Sequence, residues 1–206
     1  MGTSSNFGNM LSMAGAALLL PFLPMTPGQI LLNNLIYDAS QIAIPTDTVD
    51  PEVEAEPARW DVHSIERFML LFGPISSIFD YVTFGLLLWL VGATDASAKA
   101  FHSGWFVESL FTQILVVLVI RTRRSPFWRS RPSPQLAAAI AAALLVAVVI
   151  PISPLGLFLG FDPLPLAFWP LLIVVTAAYL VLVETAKYFF NRRFGASAPN
   201  GAAAGK

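Results

Sequence analysis

Two polar clusters in an otherwise apolar chain carry side chains of the kind that hold a cation. Asn6 and Asn9 are three residues apart and share one face of a helix, with Gly8 between them admitting close approach of a neighbour. In PGQILLNNLIYDASQIAIPTD (Pro27 to Asp47), Asn34, Asp38 and Gln41 follow an i, i+4, i+7 spacing and form one stripe, with Asn33, Tyr37 and Ser40 beside it. Two neighbouring helices built this way offer amide oxygens and one carboxylate to a common point. Mg²⁺ takes oxygen ligands, keeps several waters and uses only one or two carboxylates. Asp38 with Asn6, Asn9 and Asn34 suits that preference, and Tyr37, Gln41 and Gln113 are secondary oxygen donors. The same spacing serves a hydrogen-bonded helix pair with no ion, and pattern alone does not separate the two. A third reading, an amphipathic helix lying in a membrane interface, lacks the Lys/Arg-rich polar face usual for it.

The remaining charges suggest structural roles. Asp80 falls near the middle of an apolar span, where it is expected to bond Ser or Tyr groups of a neighbour; an ion path is the alternative. Glu108 is expected in the first turn of its helix, where the positive dipole end favours an acid. Glu184 and Lys187 form an i, i+3 pair expected to snorkel at a span end. His63 and His102 read as loop residues far apart in sequence, which argues against a metal site built on them. Trp60, Trp89, Trp105, Trp128 and Trp169 fall near span ends, as an interfacial aromatic belt does. Cysteine is absent, which excludes thiolate chemistry, and no catalytic constellation is evident.

These groups need helices that sit in a bilayer. Hydrophobic residues make up 56% and charged residues 12% of the chain, with mean hydropathy +0.68, whereas soluble domains carry roughly a quarter charged residues. The net charge of −1 provides no field to recruit nucleic acid. Six segments approach the roughly 17–25 apolar residues of a membrane span: about 5–20, 28–45, 66–92, 105–121, 136–152 and 167–190. The expected fold is therefore an all-α, polytopic helical membrane protein with six transmembrane helices. Pro21, Pro24 and Pro27 separate the first two spans, Pro45 ends the second, and an acidic loop runs over 46–65. Loops at 93–104 and Pro151 to Pro165 carry one basic residue or none, whereas Arg121, Arg123, Arg124, Arg129 and Arg131 fill one connection and Lys187, Arg192 and Arg193 the C-terminal end. The basic segments are expected in the cytoplasm, so that six crossings place both termini there. The Ala/Gly/Ser-rich tail 195–206 is expected to be disordered. The apolar run Leu11 to Leu23 lacks the basic n-region and cleavage pattern of a signal peptide.

At SSNFGNM (Ser4 to Met10), Leu20 to Asp47, RWD (Arg59 to Asp61), FGPISSIFD (Phe72 to Asp80), GWFVESLFTQ (Gly104 to Gln113) and IRTRRSPF (Ile120 to Phe127), the chain resembles the bacterial magnesium-transporting P-type ATPases. The words recur in order over about residues 3–194, and the resemblance implies one membrane domain over 1–194 holding the fifth to tenth transmembrane helices of such a pump. It implies that Asn6 and Asn9 occupy fifth-helix ligand positions, and Asn34 and Asp38 sixth-helix positions lining the transport site. Relative to calcium pumps of the wider superfamily, Asn9 stands where an acid is found and Tyr37 where threonine is found, which lowers the negative charge of the site. The resemblance further implies import of Mg²⁺ across the bacterial inner membrane, with ATP entering only through domains outside this chain. The DKTG-type, TGE and GDGxND segments that phosphoryl transfer requires do not occur in this sequence, nor does the proline-broken fourth helix that completes the ion site. The expected partners are the lipid bilayer, Mg²⁺ and the N-terminal part of a pump, with no nucleic acid. A non-catalytic membrane scaffold or partner subunit is the alternative; a passive channel lacks the ring of charges that would support it.

Overall fold

The computed structural model describes residues 2–48, 62–92, 94, 97–122, 124 and 126–194. They form α1 (Gly2–Leu19), α2 (Pro27–Gln41), α3 (Val62–Val91), α4 (Ala98–Ile120), α5 (Pro134–Val149), the short α6 (Pro154–Phe158) and α7 (Phe168–Phe194), with 3₁₀ turns at Ile44–Thr46, Phe127–Arg129 and Ile150–Ile152. The described residues contain helices and no strand, in agreement with the all-α expectation. The tail 195–206, most of the acidic loop and Trp60 lie outside the described residues.

Among the described residues, four helices are long and apolar enough to cross a membrane: Met69–Val91, Ala98–Ile120, Pro134–Ile152 and Phe168–Phe189. With 18 and 15 residues, α1 and α2 reach only about 27 and 22 Å at ~1.5 Å per residue, against a hydrocarbon core of about 30 Å. Helix α2 stops at Gln41 instead of Pro45. A proline ring clashes with the carbonyl four residues before it, so Pro45 expels Gln41 from further helix and the chain tightens into Ile44–Thr46. Gly73 and Pro74 are carried within the 30 residues of α3.

The largest departure concerns α4, which starts at Ala98 and not at 105. The polar residues that read as a loop are satisfied by tertiary partners. Ser103 Oγ donates to the Lys99 carbonyl at 3.0 Å and accepts from the Asp162 N–H at 2.9 Å, and His102 Nε2 donates to the Leu23 carbonyl at 2.8 Å. His102 is thus a helical residue, and His63 likewise lies within α3. Glu108 is deep in α4 and not in its first turn, so the dipole reason for an acid there does not apply.

Helix α4 forms the axis of the bundle, packing against α2, α3, α5 and α7, while α1 packs on α3 and α2 on α5. Phe101, Trp105, Phe106, Leu110 and Ile114 of α4 are all buried. Trp105 is therefore a core residue and not a belt anchor; Trp89 and Trp128 are exposed, as anchors are. Leu18, Leu19, Leu31, Leu35, Ile173 and Val174 point outward from the bundle, the disposition of side chains that meet acyl chains.

Between helices in lipid, close packing and hydrogen bonds do the work that water exclusion does elsewhere. At the α1–α3 contact a Cβ on Gly8 would lie 3.1 Å from the Gly73 carbonyl oxygen. The Gly8 carbonyl accepts from Ser77 Oγ at 2.9 Å and from Ser12 Oγ at 3.0 Å. Hydrogen bonds also tie the loops together at two opposite ends of the bundle. At one end, His102 meets Leu23 and Gln29 Nε2 donates to the Leu159 carbonyl at 3.0 Å. At the other, Asp47 meets Arg121 and Ser133.

Candidate cation site

Pro27 at the first turn of α2 presets the helical φ, and Gln29 fixes where the helix starts. Gln29 Oε1 accepts from the Thr26 N–H at 2.9 Å while its Nε2 reaches Leu159, clamping α2 against the segment after α6. That placement turns Asn33 and Asn34 toward α1 and α4.

Asn6 and Asn9 of α1, Asn33 and Asn34 of α2, and Trp105 of α4 line a single cavity of about 420 Å³, with Met10, Met13 and Met25 among its apolar walls. Met10 is 72% exposed, so the cavity opens along the α1 side. Asn6, Asn9 and Asn34, singled out from spacing, are thus brought to one space. Asp38 is not: it lies one turn beyond Asn34 on the exposed side of α2, outside the cavity lining. Tyr37 is wholly buried in the core, and Gln41 is half-buried; neither lines the cavity. Gln113 is buried and turned to its own helix, its Nε2 donating to Ser109 Oγ at 2.5 Å.

Asn33, which spacing placed in the neighbouring stripe with Tyr37 and Ser40, shares their buried face of α2 and also lines the cavity. Its Nδ2 donates to the Phe106 carbonyl at 3.4 Å and to Ser109 Oγ at 3.3 Å. Its Oδ1 is buried with no protein donor, an arrangement that costs about 1–3 kcal/mol unless something else supplies a partner. A helical wheel places Asn33 beside Asn34 without saying which neighbour each faces; the contact with α4 decides it. Trp105 was hidden by the misplaced start of α4. The cavity therefore offers four carboxamides, no carboxylate, and a soft apolar wall. Among the described residues, no three or more acidic or His side chains gather as a metal cluster. Carboxamide oxygens can accept from the waters of a hydrated cation or replace some of them, and their neutrality favours an ion that retains its hydration.

Comparison with known proteins gives the sequence context of this cavity. A family described as "Cation transporting ATPase, C-terminus" matches residues 22–189. Over 196 residues the chain is 47% identical to a Salmonella typhimurium protein named "Magnesium-transporting ATPase, P-type 1" and 46% identical to an Escherichia coli protein of the same name. A further S. typhimurium protein of that name is 42% identical. Each match takes in 95% of this chain but only 22% of the relative's length.

Proposed function

Because the chain belongs to the family of cation-transporting ATPase C-termini, we propose that it is the cation-binding membrane part of an ATP-driven Mg²⁺ transporter. The observation that carries this reading is the convergence of Asn6, Asn9, Asn33 and Asn34 on one cavity from two helices. Six waters occupy about 180 Å³ at liquid density, so a hydrated Mg²⁺ fits a space of about 420 Å³. Neutral amides there can hold the ion through its waters without the cost of stripping them.

In this reading α1 and α2 are crossings too, shortened because they serve a polar site, and with six crossings both termini and the Arg-rich connection lie in the cytoplasm of a bacterial inner membrane. Asp38 adds a carboxylate outside the neutral cavity, on the exposed side of α2, where helices from the N-terminal part of a pump would cover it. ATP acts through domains that this chain does not carry, and alternating access follows from their phosphorylation.

The test is a chimaera in which this chain replaces the corresponding segment of the Salmonella relative. Asn34→Ala and Asp38→Ala are each expected to lower Mg²⁺ uptake and apparent Mg²⁺ affinity by about tenfold, the equivalent of ~1.4 kcal/mol. Wild-type uptake and affinity in both variants would refute the assignment.

A further inference from the structure

We propose that Asp80 and Glu108 hold one proton between their carboxyl groups, forming a proton-binding site where α1, α3 and α4 meet. The two side chains are 2% and 1% exposed. Glu108 lies one turn along α4 from Trp105, whose indole N–H bonds Asp80, so the helix brings the two carboxyls to the same place. Asp80 is well supplied with donors: Oδ2 accepts from Ser12 Oγ at 2.5 Å and Oδ1 from Trp105 Nε1 at 3.0 Å. Neither Glu108 oxygen meets any N–H or O–H of another group.

Two adjacent buried carboxyls cannot both stay ionised without a counter-charge. The counter-charge is a metal ion or a proton, and the surroundings decide between them. Both oxygens of Asp80 are already taken by donors, and an indole N–H only donates, so it does not share an oxygen's lone pairs with a cation beside it. The space beside Glu108 is about 10 Å³, walled by Thr83, Leu86, Phe168, Leu172 and Val175. That is room for about one water at most, far short of a hydrated divalent ion. Among the described residues, the other titratable group facing the pair is the phenol of Tyr179 on α7, a kind of group that ordinarily stays neutral at pH 7. A proton is the charge that fits.

Its location follows from the hydrogen-bond inventory. Donors stabilise the ionised form of the group they point at. Asp80 has two, and neither oxygen of Glu108 has one. Glu108 therefore carries the proton and donates it to Asp80, which becomes a carboxylate with three donors. Release of the proton to water leaves two facing carboxylates and drives the helices apart. The site touches the cation cavity through Trp105, which lines that cavity and bonds Asp80, and through Ser12, on the same helix as Asn6 and Asn9. It does not rest on the Mg²⁺ reading, since it would stand in a chain that carries no ion.

The experiment is infrared spectroscopy of the full chain in lipid nanodiscs at neutral pH, in H₂O and D₂O, without added metal. The expected result is a carbonyl stretching band from one protonated acid in apolar surroundings, shifted by deuterium exchange and missing in Glu108→Gln. Because glutamine keeps a neutral head that can donate to Asp80, Glu108→Gln should retain the parent's thermal unfolding midpoint, and Asp80→Asn should lower it. A parent chain without the band, a band unchanged in Glu108→Gln, or a Glu108→Gln chain that no longer folds would each overturn the proposal. So would loss of the band on titration with Mg²⁺ alone, which would make the pair a metal site.

Discussion

Arg121 and Asp47 meet at 2.5 Å, with side-chain exposures of 5% and 11%, and join the end of α4 to the turn that follows α2. The same aspartate accepts the Ser133 N–H at 2.7 Å, immediately before α5, and the second Arg121 nitrogen donates to the Ser130 carbonyl. One ion pair thus joins two connections at one end of the bundle, the turn after α2 and the link between α4 and α5. Removing a single member of a buried pair leaves the other charge without compensation. Arg121→Met is therefore expected to destabilise the chain by about 3 kcal/mol. Asp47→Asn/Arg121→Met should recover part of that loss. Reversible unfolding in mixed micelles measures both, and additive losses in the double variant would show that the contact carries no coupling.

Lys187 acts as a tie at the same end. Its Nζ donates to the Val119 carbonyl at 3.0 Å and the Arg124 carbonyl at 3.1 Å, and pairs with Glu184 at 2.9 Å. The acid–base pair expected from the i, i+3 spacing is present, but the lysine is buried and does not snorkel. Its charge sits at the C-terminal, negative end of α4, where a cation is favoured. Lys187→Met should cost about 2–3 kcal/mol, since hydrogen bonds from a charged donor are worth about 1.5–3 kcal/mol. Lys187→Arg should recover less than half of it, because a planar fork does not reproduce the three directions of an ammonium. Equal stability of Lys187→Met and the parent would remove the tie from the account.

How far the sequence disclosed this arrangement depended on whether a signal was local. Hydropathy located every long helix, because apolar runs bounded by Pro and Arg are properties of the chain itself. Asp80 could be anticipated to bond a neighbouring Ser, since a mid-span carboxylate has few other options; Ser12 is that partner. The start of α4 was not legible, because Ser103 and His102 look like loop residues until Asp162 and Leu23 are brought to them. That single error of seven positions hid the burial of both Trp105 and Glu108. Within the cavity, spacing identified the helix face of Asn34, but the rotation of α2 is set by Gln29 and Leu159, which are 130 residues apart. Rotation is what separates buried Asn33 from exposed Asp38.

Gly156 tests the rigidity of the link between α5 and α7. A Cβ there would lie 1.9 Å from the Ile150 carbonyl oxygen and 2.8 Å from its carbon, both backbone atoms that cannot rotate away. At Gly104 the nearest atom is Leu87 Cδ2 at 2.3 Å, the end of a side chain. Both substitutions to alanine overpack, at a typical cost of about 1–3 kcal/mol. Gly156→Ala should fall at or beyond the top of that range and Gly104→Ala toward the bottom. Thermal melting of the two variants gives the order, and a reversed order would mean that the turn at Ile150–Ile152 yields more easily than the leucine.

The neutrality of the cavity makes a prediction about which ion it prefers. Mg²⁺ gives up its waters reluctantly and holds to near-octahedral geometry, whereas Ca²⁺ accepts six to eight oxygens with flexible geometry and takes carboxylates readily. With carboxamides from Asn6, Asn9, Asn33 and Asn34 at the wall, an ion that keeps its hydration shell loses little by entering. A carboxylate placed among them changes that balance, since it competes directly with water for the ion. Asn9→Asp is therefore expected to strengthen Ca²⁺ binding relative to Mg²⁺ by about tenfold, ~1.4 kcal/mol in differential free energy. Asn9→Leu, which removes the oxygen without adding charge, should weaken both ions together. Competition between the two cations for the full chain in lipid nanodiscs measures the ratio. A ratio unmoved by Asn9→Asp would mean that the side chain at this position does not face the ion, and that the cavity is a void between packed helices.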